Sequence, residues 1–324
     1  MFSLEWPYAW GGPAVSGDFR TEPEDFRVDE ELGFELSGSG EHVYLQLQKR
    51  GDNTEWLARN IARLAEVTPA DVGYAGLKDR HAVTRQWFSV YLPKGAEPDW
   101  QQLNSDSVQL LHHTRHSRKL RRGDHRCNRF VIRLRHLQGD LVRLQEQLQL
   151  LKTQPVPNYF GPQRFGIEGG NLELAQRLLL EGEKIRNRQR RGMAMSAARS
   201  WLFNTVLGAR VCAGDWQQVL AGDPGLDGQP SGPLWGRGRP LSSEACLELE
   251  SEVLQPWAGW CDGLEHVGLL QERRLLALAA TEFGYQLEGD DLVVSFALPP
   301  GTFATAVLRE LALLKEVPRS VDVL

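Results

Sequence analysis

"GYAGLKDRHAVTRQWF" (residues 73–88) is a turn that runs into a strand. Gly73 and Gly76 bracket Tyr74 and Ala75, and Lys78 and Asp79 stand side by side. The run "QWFSVYL" (86–92) has the aromatic and β-branched composition of a strand. A carboxylate in a glycine-framed loop ordinarily caps a helix or pairs with a neighbour, here Arg80. No phosphate-loop or metal-ligand pattern surrounds it.

Outward from this loop the chain alternates strand and helix. "HVYLQLQKR" (42–50) sets Val43, Leu45 and Leu47 against Tyr44, Gln46 and Gln48, the period of a half-buried strand. "NTEWLARNIARLAEV" (53–67) puts Leu57, Ile61, Leu64 and Ala65 on one helical face, with Asn53 or Thr54 as its cap. "NRFVIRLR" (128–135) reads as a strand, with Asn128, Phe130, Ile132 and Leu134 on one face and arginines dominating the other. "DLVRLQEQLQLL" (140–151) predicts a helix striped by Leu141, Leu144, Leu148 and Leu151. The texture changes at "PVPNYFGPQRFG" (155–166), which is punctuated like a domain boundary. Helical stretches follow at 171–182, about 194–212 and about 242–254, around a loose Gly/Pro-rich stretch at 221–240. Strand texture returns with "DLVVSFALP", and "TFATAVLRELALL" predicts a final amphipathic helix. This order suggests an α+β domain interrupted by a helix-rich insertion. No internal repeat is visible.

At 324 residues, 41% hydrophobic and 24% charged, the chain has the composition of a soluble globular protein. No run approaches a membrane span, and "MFSLEWPYAWGGP" lacks the pattern of a signal peptide. Four scattered cysteines without a CxxC pair fit free thiols in the cytoplasm. The net charge of −5 hides a concentration of basic residues. Residues 112–136 carry nine Lys/Arg and one acid, Asp124, with five of the eight histidines. Such a stretch is either a solvated loop or the footprint of a polyanion site. On the second reading Arg118, Lys119, Arg121 and Arg122 contact phosphate of that polyanion.

Other chemistries find little support. No GxxxxGK[ST] occurs, and "SGSG" and "GRGRP" lack the strand–turn–helix setting of a dinucleotide site. His112, His113 and His116 are interleaved with Arg115, Arg118 and Lys119, a poor setting for a cation, so no metal is expected. No GxSxG elbow is present. A carboxylate beside a basic stretch has one further use, as nucleophile or general base on a sugar or base of bound nucleic acid.

"YAGLKDRHAVTRQ" (74–86) closely resembles the signature of the TruD family of tRNA pseudouridine synthases, which act on uridine 13. "PEDFRVDE" (23–30), "NRFVIRLR" (128–135), "VPNYFGPQRFG" (156–166), "SAARSWLFN" (196–204) and "FALPPGTFATAVLREL" (296–311) resemble further family motifs in the family's order. The resemblance implies an α+β fold: a pseudouridine synthase catalytic core, with a mixed, mainly antiparallel sheet and helices, and a helix-rich family-specific insertion domain. It maps the catalytic domain to 1–154 and 278–324 and the insertion to 155–277. It implies isomerisation of a tRNA uridine without a cofactor, by a protein expected to be monomeric. The family's catalytic aspartate falls on Asp79. Phe26, Asn128 and Phe303 match residues expected to contact the substrate nucleotide, and Phe130 the aromatic expected near the uracil. Arg20 is the candidate basic partner of Asp79. Lys78 is the weaker candidate for that pairing and is left as a phosphate contact. A non-catalytic RNA-binding relative would use the same basic and aromatic residues but has no use for Asp79. A methyltransferase would need a Gly-rich cofactor loop, which is missing.

Overall fold

Alternation of apolar and polar residues draws the first part of the chain into strands. The computed structural model describes residues 2–93 and 97–316. In chain order its first elements are β1 (Val15–Phe19), β2 (Phe26–Leu32), β3 (His42–Arg50), α1 (Thr54–Leu64), β4 (Val72–Tyr74), β5 (Val83–Tyr91), β6 (Val108–His116), β7 (His125–Gly139) and α2 (Leu141–Leu150). After these come β8 (Val156–Pro157), α3 (Gly170–Leu180), α4 (Arg188–Ala213), β9 (Ser231–Leu234), α5 (Glu244–Leu254), α6 (Ala258–Glu265), β10 (Glu272–Leu275) and β11 (Ala277–Leu278). The last are β12 (Thr281–Glu288), β13 (Asp291–Leu298), α7 (Ala304–Leu308) and β14 (Ala312–Glu316). No helix among the described residues is long and apolar enough to cross a membrane.

These elements form two compact units. The sheet unit comprises the described residues of 14–152, 280–301 and 312–316. Its strands run β12-β13-β7-β2-β5-β3-β6, with β1 on β7 and β14, and β4 on β5. All pairings are antiparallel except β2 with β5 and β1 with β14. Helix α1 starts at the Asn53 cap, whose side chain accepts from Glu55 N at 2.8 Å, and packs Leu57 and Ile61 against Val43, Leu45, Leu47, Phe88 and Val90. Strand β7 buries Phe130, Ile132 and Leu134 and turns Val131 outward, as alternation requires.

The helical unit comprises residues 2–13, 153–279 and 302–311. It is built round α4, whose Trp201, Leu202, Phe203, Val206 and Leu207 are buried. Residues 2–13 pack Phe2, Trp6 and Trp10 against this core. The units therefore divide differently from the expected 1–154/278–324 and 155–277: residues 2–13 and 302–311 group with the middle of the chain. Residues 317–324 of the expected C-terminal segment lie outside the described residues.

Three local expectations need correction. Helix α4 begins at Arg188, not near 194, because Asn187 caps it by accepting from Arg190 N at 2.9 Å. Its first turn is exposed and polar, so no apolar period announced it. Leu141 is 46% exposed and stands outside the buried stripe of α2. The final helix lasts only from Ala304 to Leu308, and "ALLKE" becomes β14. Backbone pairing with the edge of β1, from Val15↔Ala312 to Phe19↔Glu316, overrides the helical pattern there.

Candidate active site

Asp79 lies on the loop joining β4 to β5, and buried polar groups hold that loop at several points. Gln86 Nε2 donates to Gly76 O at 2.7 Å, and Thr54 Oγ1 donates to Gln86 Oε1 at 3.1 Å. Lys78 N donates to Thr54 Oγ1 at 3.1 Å. Lys49, fully buried, donates its ammonium to the carbonyls of Asp79 at 3.0 Å and Asp52 at 2.8 Å. Burial pushes the Lys49 ammonium down to about 8, although Asp79 and Asp52 pull it the other way. The loop backbone is thereby fixed from below, which frees the Asp79 side chain to face outward.

That side chain meets Arg20. Arg20 Nη2 is 3.0 Å from Asp79 Oδ1; the arginine side chain is 6% exposed and the carboxylate 35%. The Arg20 guanidinium lies over the ring of Phe26, 4.2 Å from its centroid, and 4.9 Å from that of Phe19. Its backbone takes the left-handed conformation at φ +57°, and its carbonyl is 3.0 Å from His81 Nε2. A non-glycine residue held there by its surroundings is a mark of a shaped site. The result is a partly exposed carboxylate with one oxygen on a buried cation.

Lys78, adjacent in sequence, points elsewhere. It pairs with Glu30, both side chains being buried, and Glu30 Oε1 accepts from Trp87 N at 3.1 Å. A phosphate contact by Lys78 is not what this geometry offers. Phe26 and Phe130 are buried and meet edge to face at 5.9 Å, and Phe130 also packs on Phe296 at 5.5 Å. Asn128 is half-buried beside them on β7. Its Nδ2 is 3.1 Å from His125 Nε2, and its Oδ1 has no hydrogen-bond partner among the described residues. A buried acceptor left open is expensive unless something else fills it. Phe303 belongs to the helical unit, where its ring lies 5.8 Å from that of Phe160.

The basic stretch is two strands and a turn. Six of its nine Lys/Arg meet a carboxylate, among them Arg129 with Glu31 and Glu282, Arg133 with Glu288 and Asp291, and Arg135 with Asp25 just before β2. Arg118 pairs with Asp124 at 2.9 Å and lies over Phe34, and Lys119 donates to Ala70 O. Arg121 and Arg122 are exposed at the turn and make no ion pair among the described residues. The turn docks on the Asp79 loop through Gly123 N, which donates to Ala75 O at 2.8 Å. His116 is buried and accepts from Ser37 N at 3.2 Å. Sequence reasoning missed Lys49, although it continues the apolar face of Val43, Leu45 and Leu47 on β3, where a charge is out of place.

The family model for tRNA pseudouridine synthase D (TruD) matches residues 5–187. A tRNA pseudouridine synthase D of Cellvibrio japonicus is 55% identical over 318 residues, covering 97% of this chain and 94% of that protein. That of Nitrosococcus oceani is 48% identical, covering 95% and 94%. That of Methylococcus capsulatus is 46% identical, covering 94% and 93%. A solved structure from Methanosarcina mazei, assigned as a tRNA pseudouridine synthase D, shares the fold with a TM-score of 0.69 at 20% identity, over 94% of this chain and 95% of that one. The chain belongs to the tRNA pseudouridine synthase D (TruD) family.

Proposed function

We propose that this protein isomerises a uridine of tRNA to pseudouridine, at position 13 as the family resemblance implies, with Asp79 as the catalytic carboxylate. The observation that carries the reading is the Asp79–Arg20 pair: a partly exposed carboxylate, on a loop pinned from beneath, oriented by one buried cation. The reaction breaks the N1–C1′ bond of the uridine, turns the uracil and joins C5 to C1′. C5 loses a proton and N1 gains one, so nothing is oxidised or reduced and no co-substrate is consumed. A carboxylate at the sugar or the base is the group this requires. The base must leave its stack to reach Asp79. Asn128 Oδ1, without a partner, is available to accept from an imide or amide N–H of such a base. The exposed Arg121 and Arg122 serve the tRNA backbone. The reading places the protein with its tRNA in the cytoplasm, one chain acting alone.

A purified sample given an unmodified tRNA transcript, without cofactor, should form pseudouridine. A sample that bound the transcript tightly and formed none would support the non-catalytic alternative, for which Asp79 and its pairing have no use.

A further inference from the structure

The helical unit carries its own concentration of positive charge, on the segment that joins α3 to α4. "KIRNRQRR" (184–191) holds five Lys/Arg and no acid, and the next acid along the chain is Asp215. The acid just before it, Glu183, already meets Arg177. Lys184, Arg186, Arg188, Arg190 and Arg191 are exposed, and none meets a carboxylate among the described residues. Carboxylates are not scarce in this chain, which has 42 acids to 37 Lys/Arg. Other arginines of the same unit take one: Arg199 meets Glu272, Arg210 meets Asp215 and Arg273 meets Glu250.

The backbone beneath these cations is fixed. Glu183 N donates to Arg177 O at 3.0 Å, near the end of α3. Ile185, the one half-buried residue of 181–191, packs against the helical core. Asn187 Oδ1 accepts from Arg190 N at 2.9 Å, and Arg191 N donates to Asn187 O at 2.9 Å. The five side chains therefore stand on an anchored stretch rather than on a loose loop.

Three of the cations oppose the helix they stand on. Helices α1, α3 and α5 each place a glutamate in the first turn: Glu55, Glu173 and Glu244. The first turn of α4 has no acid, and Arg188, Arg190 and Arg191 lie at the end where the helix dipole is positive. Arg188 and Arg191, three apart, are a like-charged pair on one face. Position 190 is where a glutamate would reach back to the Asn187 N–H and close a capping box, and an arginine forfeits that bond. Cations held where they weaken the free protein are relieved when an anion binds.

We propose that residues 184–191 form a second tRNA-binding surface, carried by the helical unit, on which the arginines take phosphates of the RNA backbone. Four of the five cations are arginine, and guanidinium groups match phosphate oxygens bidentately. Phosphate contacts carry no sequence information, so this surface supplies affinity and orientation rather than choice of base. That the polyanion is tRNA rests on the function proposed above; the uncompensated charge does not.

The test is binding of a tRNA transcript across a salt series. The parent is compared with Arg190→Gln/Arg191→Gln and with a control that removes two exposed arginines of α1, Arg59→Gln/Arg63→Gln. Binding by the 190/191 variant should weaken about tenfold at low salt, and its slope of log Kd against log salt should fall by roughly 1.4 to 1.8, the share of two bound phosphates. The α1 control should keep the parent slope. Arg190→Glu should raise the melting temperature and weaken tRNA binding, two signs that a purely structural residue does not combine. In the parent, amides of 184–192 should exchange more slowly once tRNA is bound, which reads the surface without any variant. A 190/191 slope equal to the parent's, or one lowered equally in the α1 control, overturns the surface, as does amide exchange that tRNA leaves unchanged. Activity is scored separately: a parent that makes no pseudouridine, yet loses slope on the 190/191 change, defeats the function and keeps the surface. An active parent with an unaltered slope in the variant defeats the surface alone.

Discussion

Asp79 and Lys49 place the proposed chemistry and a buried prop at one loop. Asp79→Asn should abolish turnover and leave tRNA affinity within a few fold, since the neutral amide keeps the shape and relieves charge near the phosphates. Single-turnover assay beside a binding titration checks this, and substantial pseudouridine formation by the variant would remove Asp79 from the mechanism. Lys49 holds the Asp79 carbonyl from inside, with its ammonium pushed down to about 8 from 10.5. Below pH 8 both folded and unfolded chains carry the proton, and the cost of burying it is fully present. Between pH 8 and 10.5 the unfolded chain binds more protons than the folded one, so stability rises with pH by up to about 3 kcal/mol from this group. The stability of the parent relative to Lys49→Met should therefore climb across that window. Comparing the two proteins cancels the thiols of Cys246 and Cys261, pushed up to about 12 by burial, which act in the opposite sense. Chemical denaturation at pH 7.5, 9 and 10.5, run on both, would expose a flat difference if the lysine were ordinarily solvated.

At the scale of elements, β7 and the turn before it divide two tasks. The inward face of β7 fills core: Phe130 is 8% exposed and lies between Phe26 of β2 and Phe296 of β13. Phe130→Ala should cost about 3–5 kcal/mol, seen as a lower denaturation midpoint. A variant as stable as the parent but catalytically dead would instead put the ring at the substrate. The turn at 117–124 presents Arg121 and Arg122 to solvent, whereas the strand arginines are occupied by carboxylates. Reversing both charges should lower the salt slope of tRNA binding by about 0.7 to 0.9 for each phosphate no longer held. The same reversal at Arg129 and Arg133 should act on stability instead, because it sets like charges against Glu31, Glu282, Glu288 and Asp291. The basic stretch was legible as a concentration of charge; which cations remain free was not, because their partners come from strands as far away as residue 291.

For the molecule as a whole, the chain's first residues matter to its middle. Phe2 and Trp6 meet Trp201 at 5.2 and 5.0 Å, and Trp10 meets Trp216 at 6.2 Å. Glu310 accepts from Ala9 N and Trp10 N, both at 3.1 Å, and ties the same segment to 302–311. Deleting residues 2–13 should speed amide exchange in α3 and α4 and leave β3, β5 and β7 nearly as protected as in the parent. Equal loss of protection in both units would mean that the two unfold as one. Treatment with EDTA should leave activity unchanged, since the proposed chemistry needs only a carboxylate and a flipped base. Activity that zinc restored after chelation would return the histidines of β6 to consideration.

The sequence by itself determined the alternating faces of β7, the start and stripe of α1, and the signature around Asp79. Each rests on spacing within one segment, which the chain carries wherever it folds. Tertiary structure decided what depends on partners distant in sequence. The edge of β1 turned the end of a helical pattern, 312–314, into a strand, and Glu30 took Lys78 while Arg20 met Asp79. Lys49 became a buried prop because Asp52 and Asp79 bring their carbonyls to it. Arg164 and Arg274, 110 residues apart, became neighbours across one phenyl ring. A side chain's polarity is written in the sequence, but its partner is fixed only when folding brings distant backbone and charge within hydrogen-bonding range.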